Sequence, residues 1–166
     1  MALRPKAAIP ELSQSAGTSR FNPQAVFSRD DLSGGQAESS RTQLILIVED
    51  DYLIALDIEA GLLAEGFSLA GVATSADEAI SMAISTRPAL VLMDIRLLGK
   101  RDGVDAALQL YRELGIRCIF TTAHGDREAR LRAEAAKPLG WVQKPYSMAT
   151  LIDAIRSGFQ EIKKPS

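Results

Sequence analysis

Five short apolar runs organise this chain: residues 44–48 (LILIV), 68–73 (SLAGVA), 89–94 (ALVLMD), 117–122 (RCIFTT) and 139–143 (LGWVQ). They are apolar nearly throughout and do not alternate in hydropathy, as expected of strands covered on both faces. Helical spacing fills the intervals. In the segment from Asp51 to Glu65, Ile54, Ile58 and Leu62 recur about one turn apart, and Gly66 ends it. Ser75 caps a helix running to about Ser85, with Glu78 three residues on to complete a capping box. Gly103 to Leu114 carries Val104, Ala107, Leu108 and Tyr111. A polar, Ala-rich helix follows from about Asp126 to Ala136, and Ser147 opens a last one striped by Met148, Leu151, Ile152, Ile155 and Phe159. Strict strand–helix alternation predicts an open, doubly wound α/β domain with a parallel five-stranded sheet and helices on both faces. Ligands of such sheets sit at the carboxyl ends of the strands, near the point where strand order reverses.

This pattern occupies residues 44–166 and leaves residues 1–43 as a segment rich in Ser, Gly, Gln, Ala and Pro, expected to be a flexible arm. Within it Phe21, Val26, Phe27 and Leu32 form a short patch suited to docking on the domain or a partner. A hydrophobic fraction of 46% is enough for a core, and with aromatics at 5% that core must be mostly Leu, Ile, Val and Ala. The formal charge of −2 gives no overall bias toward nucleic acid or membranes. One cysteine excludes an internal disulfide and is too few for a zinc site; Cys118, inside an apolar run, reads as a small buried hydrophobe. The start of the chain lacks the apolar core of a signal peptide, and no stretch reaches membrane-spanning length, so the expected location is cytoplasmic, with no membrane partner.

The polar residues that carry chemistry fall where strands end. Glu49 and Asp50 follow the first, Asp94 ends the third, Thr122 ends the fourth and Lys144 follows the fifth. If the first and third strands are neighbours, three carboxylates converge and repel one another. A hard divalent cation resolves that repulsion, and Mg2+ favours oxygen ligands, tolerates waters and takes one or two carboxylates plus a phosphate. Asp94 is then the candidate nucleophile, because carboxylates form acyl phosphates. Lys144 supplies a point cation to a phosphoryl oxygen, Thr122 a hydroxyl, and the backbone after Asp94 further N–H donors. Trp141, on the same strand face as Gln143, is a candidate switch that moves as the space behind Thr122 changes. Each residue alone has a plainer reading: solvated loop acids, a packing tryptophan, a proline that launches the last helix, a surface His124, and Asp51 as an N-terminal helix residue favoured by the dipole. All five site residues together point to the chemistry. No GxGxxG follows a strand and no P-loop is built.

These motifs resemble the receiver domain of two-component response regulators over roughly residues 43–163: LILIVEDD at the first strand, LVLMDIRL at the third, FTTAH at the fourth and GWVQKPY at the fifth. The resemblance implies a flavodoxin-like sheet in the order 2-1-3-4-5. It implies phosphoryl transfer to Asp94 from a histidine kinase or histidine phosphotransfer protein. It also implies Mg2+ held by Glu49, Asp50, Asp94 and the backbone carbonyl of Arg96, and a cis peptide bond between Lys144 and Pro145. Thr122 takes the hydroxyl position, since Ala123 matches the small residue after it, and Trp141 takes the aromatic switch position. The chain departs from the pattern in the loop IRLLGKRDG, where Leu98 stands in place of a proline and which is expected to be one residue longer. Trp141 is bulkier than the usual Tyr or Phe, and Arg96 and His124 flank the site. With no helix-turn-helix signature, no direct DNA binding is expected. The chain reads as a stand-alone receiver, monomeric or dimerising on phosphorylation, whose docking face in the family is helix four, strand five and helix five; here helix four is mixed in charge. It is expected to be no enzyme beyond Mg-dependent self-phosphorylation and slow self-dephosphorylation. Two alternatives remain open at this point. One is an interaction module or phosphate sink with little phosphorylation-dependent output. The other is an enzyme of the same fold, such as a Mg-dependent phosphatase or a flavin carrier, for which an acid near Asp94 or a phosphate-cradling loop is missing.

Overall fold

A computed structural model describes residues 43–123 and 127–164. The expected arm with its Phe21–Leu32 patch, and His124, lie outside the described residues. Five strands, β1 (Leu44–Val48), β2 (Ser68–Ala73), β3 (Leu90–Asp94), β4 (Arg117–Thr122) and β5 (Gly140–Gln143), pair in parallel in the order β2-β1-β3-β4-β5. Five helices alternate with them: α1 (Tyr52–Ala64), α2 (Ala76–Thr86), α3 (Gly103–Leu114), α4 (Arg127–Ala133) and α5 (Met148–Ile162). The strands alternate their side chains between two apolar layers, which is why their runs carry no polar period. Leu46, Val48, Val91, Met93, Cys118 and Phe120 face the layer covered by α2, α3 and α4. Ile45, Ile47, Leu90, Leu92, Ile119 and Val142 face the layer covered by α1 and α5. Cys118 is fully buried, and burial pushes its thiol up to about 12, so it packs as an apolar residue.

Local chemistry sets the helix starts. Asp51 caps α1, accepting N–H bonds from Leu53 and Ile54 at 2.9 and 3.1 Å. Ser147 caps α5 through the Thr150 N–H. At α2 the Ser75 hydroxyl accepts the Glu78 N–H as expected, but the Glu78 carboxylate does not return to Ser75. It reaches one residue further and accepts both the N–H and the hydroxyl of Thr74, at 2.7 and 2.9 Å. Two donors on one oxygen outcompete the single N–H that a capping box offers. The reciprocal box occurs instead at α3, between Asp102 and Asp105. The segment after β4 is shorter as an α-helix than the sequence pattern suggests: α4 ends at Ala133 and a 3-10 turn, Glu134–Ala136, completes it. No described helix is long and apolar enough to cross a membrane.

Candidate functional site

Parallel pairing aligns Val48 of β1 with Met93 of β3, so the residues that follow, Glu49 and Asp94, emerge side by side at the carboxyl edge of the sheet. Asp50 comes next in the turn before the Asp51 cap. Carboxylate oxygens of Glu49, Asp50 and Asp94 all lie within 4.8 Å of one another. Glu49 and Asp94 are buried, at 2% and 6% exposure, so their charges cannot simply be left to water. Lys144, from the turn after β5, places Nζ 2.8 Å from both Glu49 Oε2 and Asp94 Oδ2. Its backbone is anchored by its own N–H to the Thr122 carbonyl at 2.8 Å, and the Lys144–Pro145 bond is cis.

Burial is the largest influence on the Glu49 carboxyl and raises it, and the neighbouring Asp94 charge adds to that rise against the hydrogen bond from Lys144. Burial alone would depress the Lys144 ammonium. Its hydrogen bonds to Asp94 and Glu49 outweigh that, and the net shift is upward, so Lys144 stays cationic. The loop after Asp94 contributes backbone donors: the Arg96 N–H to Asp94 Oδ1 at 3.3 Å and the Leu98 N–H to Asp50 Oδ2 at 3.2 Å. That loop therefore steadies two of the three acids even though Leu98, its side chain exposed, stands where the resemblance expects a proline. Three carboxylates clustered within 4.8 Å of one another, two of them on Lys144 and two steadied by backbone N–H groups, fit a divalent magnesium ion by donor chemistry and charge.

Thr122 is buried at the end of β4, its hydroxyl donating to the Ala123 carbonyl at 3.1 Å. Thr121 is buried as well and pairs with Asp94 in the ladder. Thr122 shares its strand face with Phe120, and the Trp141 ring stacks on Phe120 with centroids 4.7 Å apart. The Arg130 guanidinium lies over the tryptophan ring, 4.8 Å from the centroid. Trp141 thus contacts both a core aromatic and a cation of α4. Sequence reasoning missed both neighbours; Arg130 carried no signal beyond being one of several charges on α4.

A groove of about 540 Å³ is lined by Leu53, Ile54, Asp57, Ile58, Pro145 and Tyr146 together with Lys144, which links it to the acids. The buried Tyr146 hydroxyl has no hydrogen-bond partner among the described residues, and burial pushes it up to about 12. Besides Leu53 at the groove, α1 presents Tyr52, Leu56 and Leu63 to solvent, so this helix carries exposed apolar side chains as well as its buried stripe.

A model of the response regulator receiver domain matches residues 45–156. The transcriptional regulatory protein PdtaR of Mycobacterium tuberculosis is 34% identical over 129 residues, 76% of this chain and 62% of PdtaR. The phyllosphere-induced regulator PhyR of Methylorubrum extorquens is 35% identical over 73% of this chain and 45% of PhyR. The chain thus spans about half to three fifths of the length of these curated relatives. Among solved structures, the signal receiver domain of a modulated diguanylate cyclase from Desulfovibrio desulfuricans G20 aligns with a TM-score of 0.68 and 34% identity, covering 72% of this chain and 95% of that one.

Proposed function

The chain belongs to the response regulator receiver domain family, and on that premise we propose that it accepts a phosphoryl group on Asp94 from a histidine kinase or histidine phosphotransfer protein and relays the signal by protein–protein contact. Receiver domains are in general signalling modules and not enzymes. The observation that carries the proposal is the convergence of Glu49, Asp50 and Asp94 with Lys144 at the carboxyl edge of the sheet. In the proposed step an Asp94 carboxylate oxygen attacks the phosphorus of a phosphohistidine. The O–P bond forms as the N–P bond breaks, and the imidazole nitrogen leaves with the electron pair. Lys144 moves one of its N–H bonds from a carboxylate to a phosphoryl oxygen, and Thr122 turns its hydroxyl from the Ala123 carbonyl to another. Glu49, Asp50, Asp94 and the Arg96 carbonyl would hold Mg2+, which when bound neutralises charge on the phosphoryl oxygens. Trp141 then reports the change through its stack with Phe120 and Arg130. The setting is the cytoplasm.

The donor docks on α1. Its thirteen residues carry Asp57 and Glu59 and no basic side chain, and the apolar groove leads from Leu53 to Lys144, beside Asp94. The occupant that fits is a donor helix offering apolar side chains with a basic fringe, its phosphohistidine held over the acids. With a kinase core that phosphorylates the wild type, Leu53→Glu is expected to slow transfer about tenfold or more, the loss of one apolar anchor at an interface. Uptake from acetyl phosphate should stay unchanged, since that donor needs no docking face. Equal transfer from the kinase to both proteins would sink the α1 assignment, and transfer to a residue other than Asp94 would sink the proposed function.

A further inference from the structure

The loop that follows Asp94 ends at the N-terminus of α3, and that helix start touches the site. Gly103, the first residue of α3, lies so close to the Asp94 carbonyl oxygen that a Cβ on it would overlap that atom. Its own N–H donates to the Ile95 carbonyl at 2.9 Å. The position of the α3 N-terminus therefore fixes the height of the Asp94 peptide. What fixes the α3 N-terminus is a reciprocal pair. Asp102 Oδ1 accepts the Asp105 N–H at 2.9 Å, and Asp105 Oδ2 accepts the Asp102 N–H at 3.3 Å. Both carboxylates are then gripped by one guanidinium from α4. Arg132 Nη1 lies 2.7 Å from Asp102 Oδ2, and Nη2 lies 3.3 Å from Asp102 Oδ1 and 2.8 Å from Asp105 Oδ1.

The grip spans open space. A cleft of about 540 Å³ separates the Asp94 loop, at Ile95, Arg96 and Leu97, from α4, at Glu128 and Ala129. Ala133, next to Arg132, is buried, so the guanidinium is carried by an anchored turn. The Asp102 carboxyl, which burial would raise, is held below its ordinary value by Arg132 and by the backbone N–H groups of Asp105 and Val104.

We propose that Arg132 is a positioning residue for phosphoryl uptake at Asp94, acting across this cleft through the Asp102–Asp105 cap and Gly103. The inference rests on the proposed function. Arg132 and its two partners are all roughly a third to two fifths exposed, so the ion pairs contribute little to global stability while setting a local geometry.

The test measures uptake from acetyl phosphate at saturating Mg2+, as a function of donor concentration. Arg132→Ala is expected to lower the limiting rate about tenfold, since small misplacements of a nucleophile are costly, and to leave the half-saturating donor concentration unchanged. The thermal midpoint should stay within a few degrees. Arg132→Lys should restore only part of the rate, because an ammonium cannot hold two carboxylates as a planar fork does. Asp102→Ser keeps a capping oxygen and removes the carboxylate through which Arg132 holds the cap residue itself, leaving only the Arg132–Asp105 pair. It should match Arg132→Ala, and the double variant should be no slower than either. A limiting rate for Arg132→Ala within twofold of wild type overturns the proposal, as does a double variant in which the losses multiply. A wild type that takes up no phosphoryl group from acetyl phosphate or a kinase overturns the function itself and this inference with it; an active wild type with an indifferent Arg132 overturns the inference alone.

Discussion

Lys144→Ala is expected to take up phosphoryl groups about a hundredfold more slowly than wild type, the usual cost of removing one preorganised donor at a site where charge develops. Its Nζ already touches the Asp94 carboxylate at 2.8 Å, so a phosphoryl group arriving at the proposed acceptor would meet a cation in place. Only interactions that strengthen toward the transition state raise the rate. A lysine that exchanges a carboxylate for a phosphoryl oxygen qualifies. Lys144→Arg should recover little, since a planar fork does not substitute for a compact ammonium held between Glu49 and Asp94. A second effect follows from burial. Without Lys144, Glu49 and Asp94 are left as two buried acids facing each other, and with a chelator present the variant should lose about 3 kcal/mol of stability, as when one member of a buried ion pair is removed. Single-turnover rates and urea unfolding read the two effects separately. An uptake rate within threefold of wild type would remove Lys144 from the chemistry.

Gly103→Ala is the other large effect, and it tests the backbone beneath the site. The added Cβ meets the Asp94 carbonyl oxygen, and Met93 is nearby, so backbone must give way and no flexible side-chain tip can absorb the clash. Overpacking of that kind is expected to cost about 3 kcal/mol. Because the strand end that moves carries Asp94, the proposed nucleophile, uptake should fall as well, by about a hundredfold for a shift near 1 Å. Calorimetry reads the first loss and phosphorylation kinetics at a temperature where the variant is still folded read the second. A variant as stable and as fast as wild type would mean that α3 does not set the position of Asp94.

Much of this was legible in the sequence because apolar runs covered on both sides announce parallel strands, and because chemistry on such sheets gathers at strand ends. The positions of Glu49, Asp50, Asp94, Thr122 and Lys144 at those ends were read directly, and Asp51 proved to be the α1 cap. The strand order came from resemblance, since run lengths alone do not fix which strands are neighbours. Other features depend on distances that no local pattern encodes. Glu78 was assigned to Ser75 by spacing, but the Thr74 hydroxyl and N–H together made a better partner. The Asp102–Asp105 box had a readable spacing, whereas the approach of Arg132 from 30 residues away did not. The inward stripe of α1, Ile54, Ile58 and Leu62, was visible in the sequence, but the exposure of Tyr52, Leu53, Leu56 and Leu63 on its outer face went unread.

The central claim is that Asp94 is a phosphoacceptor, and intact mass tests it most directly. Wild type and Asp94→Asn are incubated with Mg2+ and acetyl phosphate and weighed. The account predicts a gain of about 80 Da, one phosphoryl group, in the wild type alone, and no gain when Mg2+ is chelated before the donor is added. A gain of the same size in Asp94→Asn would contradict it, because the phosphoryl group would then sit on another residue.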